Sequence, residues 1–426
     1  MRLACLASLL LVFVSPAVVS AQASSSEADT PPNPLKQLGI SGSLRGGYWS
    51  SSRDLEEGEH FVGSALWLKA APKLAPNASL VLEGWVRNQE LFHRDATDGV
   101  FREGYAAVSL GSLDLRIGRQ LIVWGRADRI NPTDNLTPRD FTLLVPEDDD
   151  QRFGAVAAKA TYYLGDVAVT GIWLPYFDPH TIPIQRVPGV TLSERIAHGT
   201  LGQWAVRIEQ TGKAVDWSLS YFDGLDLFPD IAIDRAGAST LDLVLKHHRI
   251  RVFGADAATT VGRYGLRGEA AYALTEDAGG NDPRLKNPFF SLVLGGDRTF
   301  LEYLNVNLQY LFHLVFRHRP AREIQDPVER SVAIQEAAIA NQVDRVQHGM
   351  SLRVSHKWLN ETLEAEVGAV LFFTRLDFVV RPKVIYALTD RWKATVGADI
   401  FRGDPQSFLG RLRDNSTAYA ELRWSF

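Results

Sequence analysis

The sequence contains one cysteine, Cys5, and it lies in the apolar stretch at the start of the chain. Past residue 21 there is no thiol, which excludes a disulfide scaffold and a thiolate metal site. Beyond that stretch no run of about 18 apolar residues occurs, so no membrane-crossing helix is predicted. A large excess of one charge is missing too: 45 Lys and Arg stand against 50 Asp and Glu. This mild acidity argues against nucleic-acid binding. The chain has no Gly-x-Ser-x-Gly elbow, no His-Glu-x-x-His and no phosphate-binding glycine loop. His247 and His248 are adjacent, so on a strand they point to opposite faces and cannot share a metal. The expectation is a protein with no cofactor, no metal and no catalytic activity.

Residues 1–21 read as a secretory signal peptide. Arg2 gives the positive start, Leu3 to Val14 is almost wholly apolar, and small residues precede Gln22. Residues 22–37, rich in Pro and Ser, read as a flexible periplasmic tail. From residue 38 to 426 no linker divides the chain.

What fills that length is alternation. In the final run Ala420, Leu422, Trp424 and Phe426 share one face, while Tyr419, Glu421, Arg423 and Ser425 share the other. Leu80, Leu82 and Val86 alternate with Val81, Glu83, Trp85 and Arg87. Val306, Leu308, Tyr310 and Phe312 alternate with Asn305, Asn307 and Gln309. The pattern gives eighteen strands, at 39–49, 61–71, 78–91, 102–110, 113–123, 152–163, 166–176, 200–211, 214–223, 248–261, 264–275, 288–299, 304–316, 347–358, 362–374, 377–389, 391–402 and 418–426. Connectors after even strands are short, such as Gly111-Ser112, Leu164-Gly165 and Gly262-Arg263, and those after odd strands are mostly long. An even strand count with this asymmetry predicts an all-β fold: a transmembrane antiparallel up-and-down barrel in the bacterial outer membrane. Hydropathy averages near zero in such strands, because only every second residue meets lipid.

Charges in the lipid band cost roughly 2–4 kcal/mol near the midplane, so charged faces should line the lumen. On that argument Glu83, Arg87, Arg249, Arg251, Arg267, Glu269, Arg381 and Lys383 are assigned to the lumen wall. They read either as ladders bracing neighbouring strands or as a mixed lining without a clear ion preference.

One stretch cannot continue as a strand. After Gly118 it carries Arg119, Arg126, Asp128, Arg129, Asp134, Arg139 and Asp140, with Trp124 and Phe141 near its ends. Pro132 and Pro138 withhold amide donors, and Asn131, Thr133 and Asn135 favour turns. Dense paired charge beside aromatics predicts a loop after strand 5 that folds into the lumen and constricts it, with those seven residues at the constriction. Residues 328–345 show helical spacing beside the basic cluster Arg317 to Arg322. They read either as a cap over the mouth touching lipopolysaccharide phosphates or as a solvated helix on the rim.

The Gly-Arg-Gln of residues 118–120, the Trp124-Gly125 pair and the Asn131-Pro132-Thr133-Asp134 run resemble an uncharacterised family of proteobacterial outer-membrane barrels. Its members are often encoded beside RND-type exporters and are distantly similar to alginate-export porins. The stretches 249–256 and 262–269 are similar as well. The resemblance implies an envelope barrel in transport of a small organic or lipidic solute, with an inner-membrane exporter system as an implied partner. The aromatic end, Trp424 and Phe426, resembles the signal read by the barrel-insertion machinery. The function expected is a porin-like channel with a charged, loop-constricted lumen. The rival is a sealed barrel acting as a receptor or as an exporter's outer-membrane partner. A third possibility, a lateral exit, would show as a gapped wall near Pro382.

Overall fold

The computed structural model describes residues 39–51, 60–88, 97–184, 187–196, 202–237, 240–282 and 284–426. The expected signal peptide and tail lie outside these residues. In chain order the strands are β1 Ser41–Ser51, β2 His60–Ala70, the short β3 Lys73–Ala75, β4 Ala78–Asn88, β5 Thr97–Leu110, β6 Leu113–Gln120, β7 Ala155–Leu164 and β8 Val167–Leu174. Next come β9 Val190–Arg195, β10 Gln203–Gln210, β11 Val215–Leu225, β12 Asp230–Ala236, β13 Leu241–Lys246, β14 Arg249–Val261 and β15 Tyr264–Leu274. The last are β16 Phe289–Phe300, β17 Leu304–Val315, β18 Val346–Trp358, β19 Leu363–Phe372, β20 Asp377–Ala387, β21 Trp392–Arg402 and β22 Thr417–Ser425.

Leaving aside β3, β9, β12 and β13, each strand pairs antiparallel with the next, and β22 pairs back onto β1 from Ser43–Ser425 to Ser51–Thr417. The result is a closed ring of 18 strands. Closure satisfies every ladder without an open edge, the condition a sheet must meet in lipid. The strand positions agree with the alternation to within a few residues. Gly111, Gly165 and Gly262 take φ of 63°, 62° and 62° in two-residue turns, where a side chain would be strained. At Pro382 the β19 partner, Val367, is kept, and β20 and β21 hold one register on both sides of it. The β20–β21 ladder skips Arg381 and Pro382 and resumes at Lys383–Gly397 in the same register, so the wall shows a two-residue break in pairing there and no shift of strand.

Burial follows the two faces. Val86, Ile117 and Val396 are 52%, 67% and 59% exposed on the outside, whereas Glu83 is 4% exposed on the inside. This is an outer-membrane barrel in architecture: greasy outside, charged within. One part of the inner face departs from that rule. Ala155, Ala157, Ile172, Leu174, Ala205, Phe222, Ile250, Val252, Ala271 and Ala273 form a buried apolar patch inside β7, β8, β10, β11, β14 and β15.

The long connectors hold structure that periodicity did not reveal. β9, β12 and β13 make a three-stranded sheet, with β13 parallel to β9 and antiparallel to β12. The β9–β13 pairing is distant in sequence and the alternation of all three strands is short, so they read as loop. The expected helix forms as α1, Pro327–Ile339. Asp326 caps it by accepting from the Val328 and Glu329 amides at 2.8 and 2.9 Å, with proline at the first turn. Val332 and Ile339 of α1 pack on Ile231 and Leu245 of the sheet. Together they form an external cap.

Candidate functional site

The segment 121–154, between β6 and β7, enters the barrel as the sequence predicts. Its first turn is apolar, and that decides where it docks. Ile122, Trp124 and Leu136 are buried against the apolar wall patch. At about 1.5–3 kcal/mol for each large side chain, this contact is the segment's main anchor. Gly125 follows at φ 97°, and a Cβ there would lie 2.4 Å from Glu269 Oε2. Only glycine lets the backbone pass so close to that carboxylate.

Glu269, 1% exposed on β15, gathers the segment around itself. Its carboxylate accepts from the amides of Arg126, Ala127 and Thr133 at 3.0, 3.1 and 2.8 Å. It also accepts from Thr133 Oγ1 at 2.8 Å and Asn131 Nδ2 at 3.3 Å. A buried carboxylate is stable only when so fully satisfied.

Further along, ion pairs replace apolar packing. Arg126 Nε lies 2.6 Å from Asp256 Oδ1 on β14. Asp128 Oδ2 accepts from Arg353 Nε on β18 at 2.7 Å, and the Asp128 amide donates to Gln309 Oε1 on β17 at 2.8 Å. Arg129 NH2 meets Glu366 Oε1 on β19 at 2.6 Å. Arg381 on β20 pairs with Asp148 and, at 2.7 Å, with Asp399. Lys383 reaches Glu147 at 3.4 Å, and Arg45 on β1 reaches Asp150 Oδ2 at 2.5 Å. The partners thus come from β1, β14, β15 and β17 to β20, an arc of about half the ring. Burial works against the Asp148 carboxylate, but Arg381, Arg129 and Arg139 more than offset it and hold it below its ordinary range. Pairs open to water on the arginine side, such as Arg129–Glu366 with side chains 35% and 10% exposed, contribute about 1 kcal/mol or less each, less than the apolar anchor.

Not every expected residue joins this cluster. Of the seven assigned to the constriction, Arg126, Asp128 and Arg129 reach the wall. Asp134 stays within the segment, bonded to Arg152 at 2.7 Å and Arg139 at 3.4 Å. Asp140 accepts from the Thr142 amide at 2.9 Å and bridges to Thr181. Arg119 leaves β6 on the face opposite the buried Gln120 and braces the segment's base through the Gly154 carbonyl, at 2.6 Å, and Asp178.

On the wall, Glu83 binds Trp67, Lys69 and Arg102 at 3.1, 3.0 and 2.6 Å. The Arg87 guanidinium lies 4.3 Å from the Trp85 ring, and Arg267 pairs with Asp297. These, with Glu269, Arg381 and Lys383, face inward as expected. Arg249 and Arg251 do not, and that assignment is corrected. They alternate with buried Ile250 and Val252 and share the outer face with Phe253, which stacks on Tyr221 at 4.9 Å. There they pair with Asp223 at the external rim. Trp424 and Phe426 lie 5.0 Å apart beside Trp392, and the Phe426 amide and carbonyl both bond Gly42 at 3.0 Å.

The acidic run 147–150 lies outside the residues expected at the constriction, yet Glu147, Asp148 and Asp150 meet basic wall residues while Asp149 is 87% exposed, and four acids in a row are a readable signal. Beyond it the segment ties to the cap. Phe141 stacks with Phe228 at 5.8 Å, and His180 packs edge-on to both. His180 Nδ1 accepts from the Arg139 amide at 2.9 Å, a role for the neutral ring. Burial is the main force lowering its pKa to about 3.

Comparison with solved structures agrees with this architecture. OccAB3 of Acinetobacter baumannii matches with a TM-score of 0.55 at 8% identity, over 91% of this chain and 98% of that one. The outer membrane protein OpdK of Pseudomonas aeruginosa matches with a TM-score of 0.54 at 11% identity, over the same shares. OpdK determined with vanillate matches at 0.52 and 10% identity, again over 91% and 98%. At such identities the likeness is one of fold. No protein-family model matches the sequence, and no curated protein does.

Proposed function

We propose that the protein is a passive outer-membrane channel whose lumen is narrowed by segment 121–154. Small organic or lipidic solutes cross it by diffusion rather than by chemical turnover. The observation that carries this reading is the segment's attachment: inside a closed barrel, its charged side chains meet wall partners on strands spread over about half the ring. A loop that only faced solvent would have no need of them. The fold shared with OpdK, a protein whose structure was determined with vanillate, supports a small organic solute. The constriction residues are then Arg126, Asp128 and Arg129, with Arg353, Glu366 and Arg381 as wall partners.

The test is electrical. Purified protein in planar bilayers should give single-channel currents, and deletion of 126–140 should raise their conductance. Unchanged conductance would remove the constriction. No conductance from either protein would remove the channel. It would favour the rival reading, a sealed barrel serving as receptor or exporter partner, for which the external cap of α1 on its sheet is the supporting observation.

A further inference from the structure

The segment is held in two chemically different ways, and a solute can exchange for only one of them. On the β7–β15 side, Ile122, Trp124 and Leu136 are closed over by apolar wall residues, and the polar groups beside them, the Arg126–Asp256 pair and Glu269, have carboxylates that are buried and already bonded to the segment. On the β18–β20 side the contact is a seam of ion pairs that remain partly hydrated. The Arg129 and Arg353 side chains keep 35% and 30% of their exposure. A cavity of about 120 Å³ opens in this seam, bounded by Asp128, Arg129, Asp148, Arg353, Gly368 and Arg381. Gly368 keeps it open, since a Cβ there would stand 2.7 Å from Arg129 NH1.

The signs along the cavity matter more than their sum. Asp128 faces Arg353, Arg129 faces Glu366, and Asp148 faces Arg381. A solute passing between such partners must separate them. An uncharged solute replaces neither partner. A singly charged ion satisfies one and leaves the other one ion pair short, Arg353 with only Glu366 at 3.8 Å or Arg381 with only Asp399 at 2.7 Å. A molecule carrying both an ammonium and a carboxylate satisfies both partners at once and leaves the charge of the seam unchanged. Resting on the channel reading above, we infer that this seam is the permeation path and that it favours small zwitterions over uncharged solutes of the same size. The ammonium takes the place of a guanidinium at Asp128 or Asp148. The carboxylate takes the place of an acid at Arg353 or Arg381. No bond is made or broken in the solute.

β-Alanine and lactamide are isomers, one zwitterionic and one neutral, and they test this directly. The full chain is reconstituted into liposomes and swelling is followed in isosmotic solutions of each. The expected result is several-fold faster swelling in β-alanine. The paired neutral variant Asp128→Asn with Arg353→Gln should bring the two rates together, and Gly368→Leu should slow both. Folding of each variant is checked by heat-dependent gel mobility. The wild-type comparison needs no variant, so a failed fold leaves the test intact. Lactamide entering as fast as β-alanine would overturn the selectivity while leaving the channel standing. Unchanged rates in a folded Gly368→Leu variant would place the path elsewhere. Entry of neither solute through the wild-type protein would instead overturn the channel reading itself.

Discussion

Replacing Glu269 by alanine should release the deepest part of the inserted segment without opening the barrel. Glu269 is 1% exposed and accepts five hydrogen bonds, three of them from the amides of Arg126, Ala127 and Thr133. Single bonds to a charged group contribute about 1.5–3 kcal/mol, but five on one carboxylate do not add. The cost also has a ceiling, because once the segment lifts its donors reach water. What alanine leaves behind is unpaired neutral donors, each costing about 1–3 kcal/mol while it stays buried, so roughly 3–5 kcal/mol for the three amides is the better guide. At about 1.4 kcal/mol per tenfold, the released population should rise by roughly 10²- to 10³-fold. Ile122, Trp124 and Leu136 should stay docked, since their apolar anchor is untouched. Hydrogen exchange at the three amides reads this without reference to transport. Protection at Arg126, Ala127 and Thr133 should collapse in Glu269→Ala, while that of neighbouring wall strands holds. Glu269→Gln, which keeps an acceptor oxygen, should fall between. Unaltered protection in the alanine variant would mean that the carboxylate does not hold the segment.

Three further outcomes are expected. His180 is buried neutral with its pKa lowered to about 3, chiefly by burial, with Arg139, Lys286 and His247 opposing protonation and Asp226 favouring it. An unfolded histidine protonates near 6.5, so the contact between cap and segment is fully stable above that pH and weakens as pH falls toward 3. Limited proteolysis of the 177–184 stretch across this range should show it, and His180→Phe should abolish the dependence. Burial and the neighbouring Asp230 hold the Glu336 carboxyl well above its ordinary range. Its contribution is therefore complete below pH 4.5 and lost as pH rises through the raised value, so Glu336→Gln should keep α1 protected from exchange at alkaline pH where the wild type loosens. Removing Phe426 takes away both Gly42 bonds and the aromatic end. The heat-resistant, folded fraction in outer membranes should drop, and an undiminished fraction would discount the insertion signal.

Much of the ring was legible because its physics is local. A strand between lipid and interior must alternate, and Leu308, Tyr310 and Phe312 against Asn307 and Gln309 can be read by eye. The phase of a strand is harder to see. In β14 both Arg251 and Ile250 are conspicuous, and charge alone assigns arginine to the interior. The inserted segment inverts that choice, because Trp124 and Ile122 need an apolar wall, which Ile250 and Val252 help supply. Only the tertiary contact decides, and the sequence of β14 does not contain it. Asp134 and Asp140 were misplaced for a related reason. Turn-forming acids beside prolines serve their own backbone as readily as a distant wall. The cap sheet was missed because β9 and β13 run parallel and meet only after a barrel strand pair intervenes.

The ring joins at β1 and β22, its first and last strands. Until those two meet, each carries a full row of unbonded amides and carbonyls, and either could recruit a stray chain. The final zip spans almost the whole polypeptide, the most remote contact the fold contains, and such contacts are slow to form. The interval before it is therefore the hazardous one in this protein's life, when it most needs guarding from aggregation.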